Sequence, residues 1–190
     1  RKASTLNLHY SFSSDPSKEW MLDFTSFFNR LAKRKGIAPA NVVRMKALRA
    51  GGALDMSKIC DGDGRTLVWH VYIRTSLAVR LLYSASLFRE QAYAGDAQLI
   101  GKANRYQHWL DMLRLREAGV VRYDFGGFDV ATDDEDRLRI SRFKAGFGGE
   151  VVRRFNADHP ITWPGTVLLG LKKASRIQRA IDLLKFRYSQ

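Results

Sequence analysis

The spacing of apolar residues switches period repeatedly along this chain, and the order of the switches leaves few architectures open. Leu6, Leu8, Tyr10 and Phe12 alternate at period two, which predicts a strand from Leu6 to Phe12. Trp20, Phe24, Phe27, Phe28 and Leu31 then recur at three and four, the stripe of a helix buried on one side. That helix is expected to open at Asp15 and Pro16, capped by Asp15 or Ser14, and to end in Lys33, Arg34 and Lys35 at Gly36. A second helix follows from about Pro39 to Arg49 and stops at Gly51 and Gly52. Leu54 to Cys60 and Thr66 to Arg74 read as a hairpin around the turn Asp61 to Gly64, and Val79 to Leu87 as a further strand. A long helix is expected from about Lys102 to Ala118, with Ala103, Tyr106, Leu110, Leu113 and Glu117 along one face. Val120 to Phe125 is a short strand broken by Gly126 and Gly127. The acidic run Asp133 to Asp136 then caps a helix that ends at Gly146. A strand from Glu150 to Phe155 and a last helix from about Thr166 to Tyr188 complete the order. Three consecutive strands followed by crossover helices predict an α/β fold: a mixed sheet with helices on both faces.

Length and charge narrow the partners. The 190 residues fit one domain, 1–190, and a hydrophobic share of 45% is enough for a packed core. The longest apolar runs, such as Val167 to Leu169, fall far short of the roughly 20 residues a spanning helix needs. Cys60 is the single cysteine, so no internal disulfide forms and a reducing, cytoplasmic setting is expected. The net charge of +13 attracts phosphates, nucleic acid or an acidic membrane face, unless it is only a basic solvent surface. In the last helix an apolar stripe of Ala174, Ile177, Ile181, Leu184 and Tyr188 lies beside Lys172, Lys173, Arg176, Arg179, Lys185 and Arg187. Such a helix makes peripheral contact with an anionic membrane, here the inner face, grips a phosphate-rich partner, or docks on the sheet with its basic side in water.

Several chemistries are excluded. The turn Asp61 to Gly64 lacks the further acidic ligands of a calcium loop. No Cys/His pair has ligand spacing, so no metal site is expected. No Gly-x-Ser-x-Gly elbow is present.

Two motifs carry a family likeness. Tyr123, Asp124, Phe125, Gly126 and Gly127 end the short strand, and Phe143, Lys144, Ala145, Gly146, Phe147, Gly148 and Gly149 follow. In this order they resemble the Fem-type branch of the GNAT acyltransferases, the nonribosomal peptidyltransferases of cell-wall synthesis. Gln98, Gly101 and Ala103 also fit the Gln/Arg-x-x-Gly-x-Gly/Ala pattern with which GNAT proteins bind a pyrophosphate at a helix N-terminus. The chain departs from Fem-type enzymes in having room for one GNAT domain and no coiled-coil insertion.

The resemblance implies a GNAT-like single domain and an acyl transfer from acyl-CoA, or from acyl-carrier protein (acyl-ACP), to an amine. That amine would sit on a phosphate-bearing metabolite or a cell-envelope precursor; aminoacyl-tRNA is the alternative donor, and a non-catalytic binding module the alternative class. Gln98, Gly101, Lys102, Ala103 and Asn104 would hold the donor phosphates, or form a plain helix entrance. Lys144 would stabilise the oxyanion or a phosphate, unless it is a surface lysine. Asp124 would orient a reactant or cap the glycine turn. Tyr72, Tyr123, Phe143, Gly146 and Gly148 would line the acceptor side. His70 and His108 are candidates for the base that takes the proton of the attacking amine, or are structural.

Overall fold

The computed structural model describes residues 7–89, 96–129, 132–153 and 159–171. Strand β1 (His9–Ser13) leads to helix α1 (Lys18–Lys35). Its N-cap is Ser17, whose hydroxyl accepts from the Trp20 N–H at 3.2 Å. The expected caps, Asp15 and Ser14, lie outside the helix, and Asp15 is taken instead by an ion pair with Arg49 at 2.8 Å. Gly36 ends the helix at φ 62°, the left-handed conformation that only glycine adopts cheaply. Helix α2 (Val42–Ala50) is capped by Asn41, whose side chain accepts from the Arg44 N–H at 2.9 Å.

Strands β2 (Leu54–Cys60), β3 (Thr66–Arg74) and β4 (Ala78–Ser86) follow, then α3 (Ala97–Glu117), β5 (Arg122–Asp124) and α4 (Glu135–Ala145). The sheet order is β1-β2-β3-β4-β5. The first four strands are antiparallel and β5 is parallel to β4, so the sheet is mixed as expected.

Alternation assigns the two faces. Met56, Trp69, Val71, Tyr83 and Ala85 share one face, because Met56 opposes Val71, Tyr83 opposes Val71 and Ala85 opposes Trp69. Helix α1 covers it: Trp20 and Phe24 stand edge-on to Trp69 at 5.4 and 6.0 Å, and Phe28 meets Tyr83 at 4.8 Å. Phe24 has no exposed surface. Phe24→Ala is expected to cost about 3–5 kcal/mol of stability, because the transfer term and an unfilled cavity add; the urea midpoint measures it.

The opposite face carries Ser57, His70 and Tyr72, and α3 packs on it with the Gln107 amide donating to Ser57 Oγ at 2.9 Å. This polarity rotates the helix. Its buried residues are Ile100, Ala103, Gln107, His108, Asp111 and Leu115. Of the stripe expected in sequence, Ala103 is buried, Tyr106, Leu110 and Leu113 are half-buried and Glu117 is exposed. Buried polar groups must find partners, and only this rotation brings the helix's polar groups to those of the sheet.

Three further expectations are corrected. Helix α3 starts at Ala97, not near Lys102. The strand expected from Val120 to Phe125 shortens to Arg122–Asp124. Residues 150–153 form no strand, and the rest of the stretch to Phe155 lies outside the described residues.

The chain divides into two compact units, Arg1–Gly146 and Phe147–Gln190. The whole sheet and helices α1 to α4 belong to the first. In the second, a helix begins at residue 163 and is described to residue 171. Pro164, expected ahead of this helix, stands in its first turn, and Thr162 Oγ1 accepts from the Gly165 N–H at 3.3 Å. The basic stretch from Lys172 to Arg187 lies outside the described residues. No helix among the described residues is long and apolar enough to cross a membrane.

Candidate active site

A local event in β5 opens the site. Only three residue pairs join β5 to β4: Ala78 with Arg122, Val79 with Tyr123 and Arg80 with Asp124. Gly126 then takes φ 78°, and the Asp124 carboxylate accepts from its N–H at 2.8 Å. The chain turns away while β4 continues to Ser86. Beside that stretch lies a cavity of about 630 Å³, lined in part by Leu81, Ser84 and Ser86 of β4.

Helices α3 and α4 supply most of the rest of the wall, and α1 adds Leu31 and Lys35. Of the residues expected to hold a donor, Gln98, Gly101, Lys102 and Asn104 line the cavity. Ala103 is buried and does not. Because α3 begins early, Gly101 lies inside the helix and not in an entry loop. The N-cap residue Asp96 makes no side-chain cap bond and pairs with Arg65 at 2.9 Å.

Lys144 and Phe143 also line the cavity, from α4. Lys144 is half-buried and its Nζ donates to the Gly127 carbonyl. Burial lowers its pKa, while Asp124 and Asp129 pull the other way. The strand end and the lysine motif therefore converge. Arg105 lies over the Phe143 ring at 4.8 Å.

Among the described residues the lining is one-signed: Lys35, Lys102, Arg105, Arg139 and Lys144 contribute to it, and no described aspartate or glutamate does. Arg105 and Arg139 had no signal in the sequence beyond the overall charge.

The remaining expected residues stand elsewhere. Asp124 is committed to the glycine turn and lies 3.9 Å from Arg80 Nε. Gly146 sits against Arg105 and the end of α4. Gly148 belongs to the second unit. Tyr72 and Tyr123 sit behind the cavity wall, not on it.

Behind that wall lies a buried polar cluster. His108 lines the cavity yet is only 2% exposed, between Phe125 and Phe143 at ring distances of 5.1 and 5.6 Å. Its Nδ1 lies 2.7 Å from the Tyr123 hydroxyl, which lies 2.7 Å from the Tyr72 hydroxyl. Tyr72 donates to Asp111 Oδ2 at 2.5 Å, and Tyr10 donates to Asp111 Oδ1 at 2.8 Å. His70 stacks on His108 at 4.0 Å, with Nδ1 2.8 Å from Asp111 Oδ2 and Nε2 3.0 Å from Asn104 Oδ1. His70 is wholly buried and does not line the cavity.

Burial pushes the His108 pKa well below the ordinary histidine value, and His70, Lys144 and Arg105 push the same way. Burial, then the charge of Asp111, raises Tyr72 and Tyr123 well above the ordinary phenol value. His108 is thus neutral and the two phenols keep their protons. His70, His108 and Asp111 bring nitrogen and oxygen atoms within 4.8 Å of one another, a grouping that spacing along the chain did not foretell. His70 Nδ1, His108 Nδ1 and both Asp111 oxygens are engaged in the bonds just described, so the cluster is built as a hydrogen-bond chain. Neither Asp111 nor Tyr10 was expected at the site. A signal for Asp111 was present in Asn104, His108 and Asp111, which repeat at four and three along one helix face.

No family model matches this chain, and no curated protein matches it in sequence. Solved structures do resemble it. One is a probable acetyltransferase, 12% identical with a TM-score of 0.55, the match covering 81% of this chain and 98% of that one. Another is the aminoglycoside acetyltransferase meta-AAC0020, from an uncultured soil metagenomic sample, in complex with trehalose. It is 9% identical with a TM-score of 0.54, over 81% of this chain and 97% of that one. FemX is 13% identical with a TM-score of 0.57, over 75% of this chain but only 50% of its own. Identities this low speak to fold alone: the five-stranded mixed sheet flanked by helices is a fold this chain shares with those acetyltransferases.

Proposed function

We propose that this protein transfers an acyl group from acyl-CoA to an amine on a phosphate-bearing acceptor. The observation that carries the reading is the cavity beside β4, where five cations and a neutral histidine meet with no carboxylate among the described lining residues. The N-terminal turn of α3 borders the cavity through Ala97 and Gln98. With Lys102 and Arg105 it favours the donor's phosphates, because the two cations and the helix dipole both attract anions. The phosphopantetheine arm then runs along the edge of β4 beyond its pairing with β5, past Leu81 and Ser84.

His108 is the base. Its Nδ1 is engaged with Tyr123, so it acts in the cavity through Nε2. The amine nitrogen attacks the thioester carbonyl, and its proton passes to Nε2. Lys144 stabilises the negative charge that develops on the carbonyl oxygen. The C–S bond breaks, and the departing thiolate takes the proton from Nε2–H.

The charge of the cavity also selects the acceptor. An aminoglycoside carries several ammonium groups, which five lining cations repel. A phosphate-bearing amine is drawn in. The meta-AAC0020 structure that holds sisomicin is therefore a likeness of fold and not a guide to this chain's acceptor.

Calorimetry of the full chain with coenzyme A tests the donor half, and binding is expected to weaken as salt rises from low to moderate levels. Absence of binding at low salt refutes it. For the acceptor half, acetyl-CoA turnover is followed with a nucleotide-linked amino sugar and with sisomicin. Stimulation by the first alone is expected; stimulation by sisomicin alone refutes it.

A further inference from the structure

Asp111 lines no part of the cavity, yet the chain of bonds from His108 through the two phenols ends on it. A phenol has one proton to give, and a carboxylate oxygen only accepts. Tyr72 gives its proton to Asp111 Oδ2, at 2.5 Å against 3.1 Å to His70 Nδ1. In the 2.7 Å contact between the two phenols, Tyr123 is therefore the donor. Its single proton is then spent. In the 2.7 Å contact between Tyr123 and His108, the donor can only be Nδ1–H.

We propose that Asp111 is a positioning residue that acts through Tyr72 and Tyr123 to hold the His108 proton on Nδ1, leaving Nε2 as the acceptor. This rests on the reading of His108 as the base. The chain is one-way because its end cannot donate: were Asp111 a donor, each bond would reverse and Nε2 would carry the hydrogen. The charged and titratable groups facing His108 agree with a neutral ring. They are His70 from β3, Tyr123 from β5, Arg105 from its own helix and Lys144 from α4, and the three basic groups disfavour a second proton on it. During turnover the amine proton enters at Nε2 and leaves on the thiolate, while the Nδ1–H bond to Tyr123 steadies the transient imidazolium. No net proton moves along the chain.

Nitrogen NMR of the labelled full chain at pH 7.5 reads the tautomer directly, with the His108 signals identified by their loss in His108→Gln. Wild type is expected to show hydrogen on Nδ1. In Tyr72→Phe the Tyr123 proton turns to His108 Nδ1, so the hydrogen moves to Nε2 and acetyl-CoA hydrolysis falls about tenfold or more, as loss of a general base requires. In Tyr72→Phe with Tyr123→Phe no phenol holds Nδ1. The tautomers then mix, and hydrolysis rises above that of Tyr72→Phe alone. A purely structural role predicts the reverse, since a second cut into the core adds damage.

Hydrogen on Nε2 in wild type, an unchanged tautomer in Tyr72→Phe, or a double variant slower than the single overturns the proposal. If circular dichroism shows that Tyr72→Phe does not fold, the wild-type tautomer decides alone. If wild type hydrolyses no acetyl-CoA, the proposed base function fails, while the NMR result still judges the role of Asp111.

Discussion

His108→Gln is expected to lower acetyl-CoA turnover by about 10²- to 10⁴-fold, the usual worth of a positioned general base. The fold should survive, since glutamine fills similar space and keeps a hydrogen-bonding end. Coenzyme A affinity should change little, because the donor phosphates are assigned to α3. The pH dependence sharpens the test. Burial and three basic neighbours lower the His108 pKa, so the acid limb of kcat in wild type should lie below the ordinary histidine range near 6.5. Stability follows the same sign. An unfolded histidine binds its proton near pH 6.5 while the folded one does so only at lower pH, so between these values the unfolded state holds more protons. The contribution of a neutral His108 is full above pH 6.5 and is lost as pH falls through that window. His108→Gln should flatten this part of the stability profile, read from urea midpoints at neutral and acid pH. A variant as active as wild type removes the base from the mechanism.

Lys144→Ala is expected to lower kcat by about 10²- to 10³-fold, comparable to loss of one oxyanion donor. The KM for acetyl-CoA should stay nearly constant. A large rise in KM with kcat preserved would instead make Lys144 a phosphate ligand of the ground state. Lys144 also carries one of the charges that depress His108. Its removal should move the acid limb of kcat upward, toward the ordinary histidine value. That shift couples the two residues in one cavity, and an unmoved limb would separate them.

Strand and helix positions were largely readable because their causes are local. Glycines at 36, 51 and 146 end helices where the chain leaves the helical pattern, and Leu54–Cys60 and Thr66–Arg74 are bounded by turn residues. The boundaries that shifted are those where a distant group intervenes. Asp15 was drawn from capping by Arg49 of α2. The rotation of α3 was hidden because apolar periodicity ranks polar residues last, whereas Gln107, His108 and Asp111 are buried to satisfy the sheet.

What the sequence determined by itself was the element order as far as the helix that carries the lysine motif, the mixed sheet, the glycine break after Asp124 and the lysine motif itself. These rest on periodicity, steric freedom at glycine and short-range capping. Only the tertiary structure decided which groups share a site. Residues 10, 72, 111 and 123 come from four separate elements, and a hydrogen bond senses distance in space and not separation along the chain. The single sign of the cavity was likewise a product of packing: chain-wide net charge carries no information on which side chains face one another.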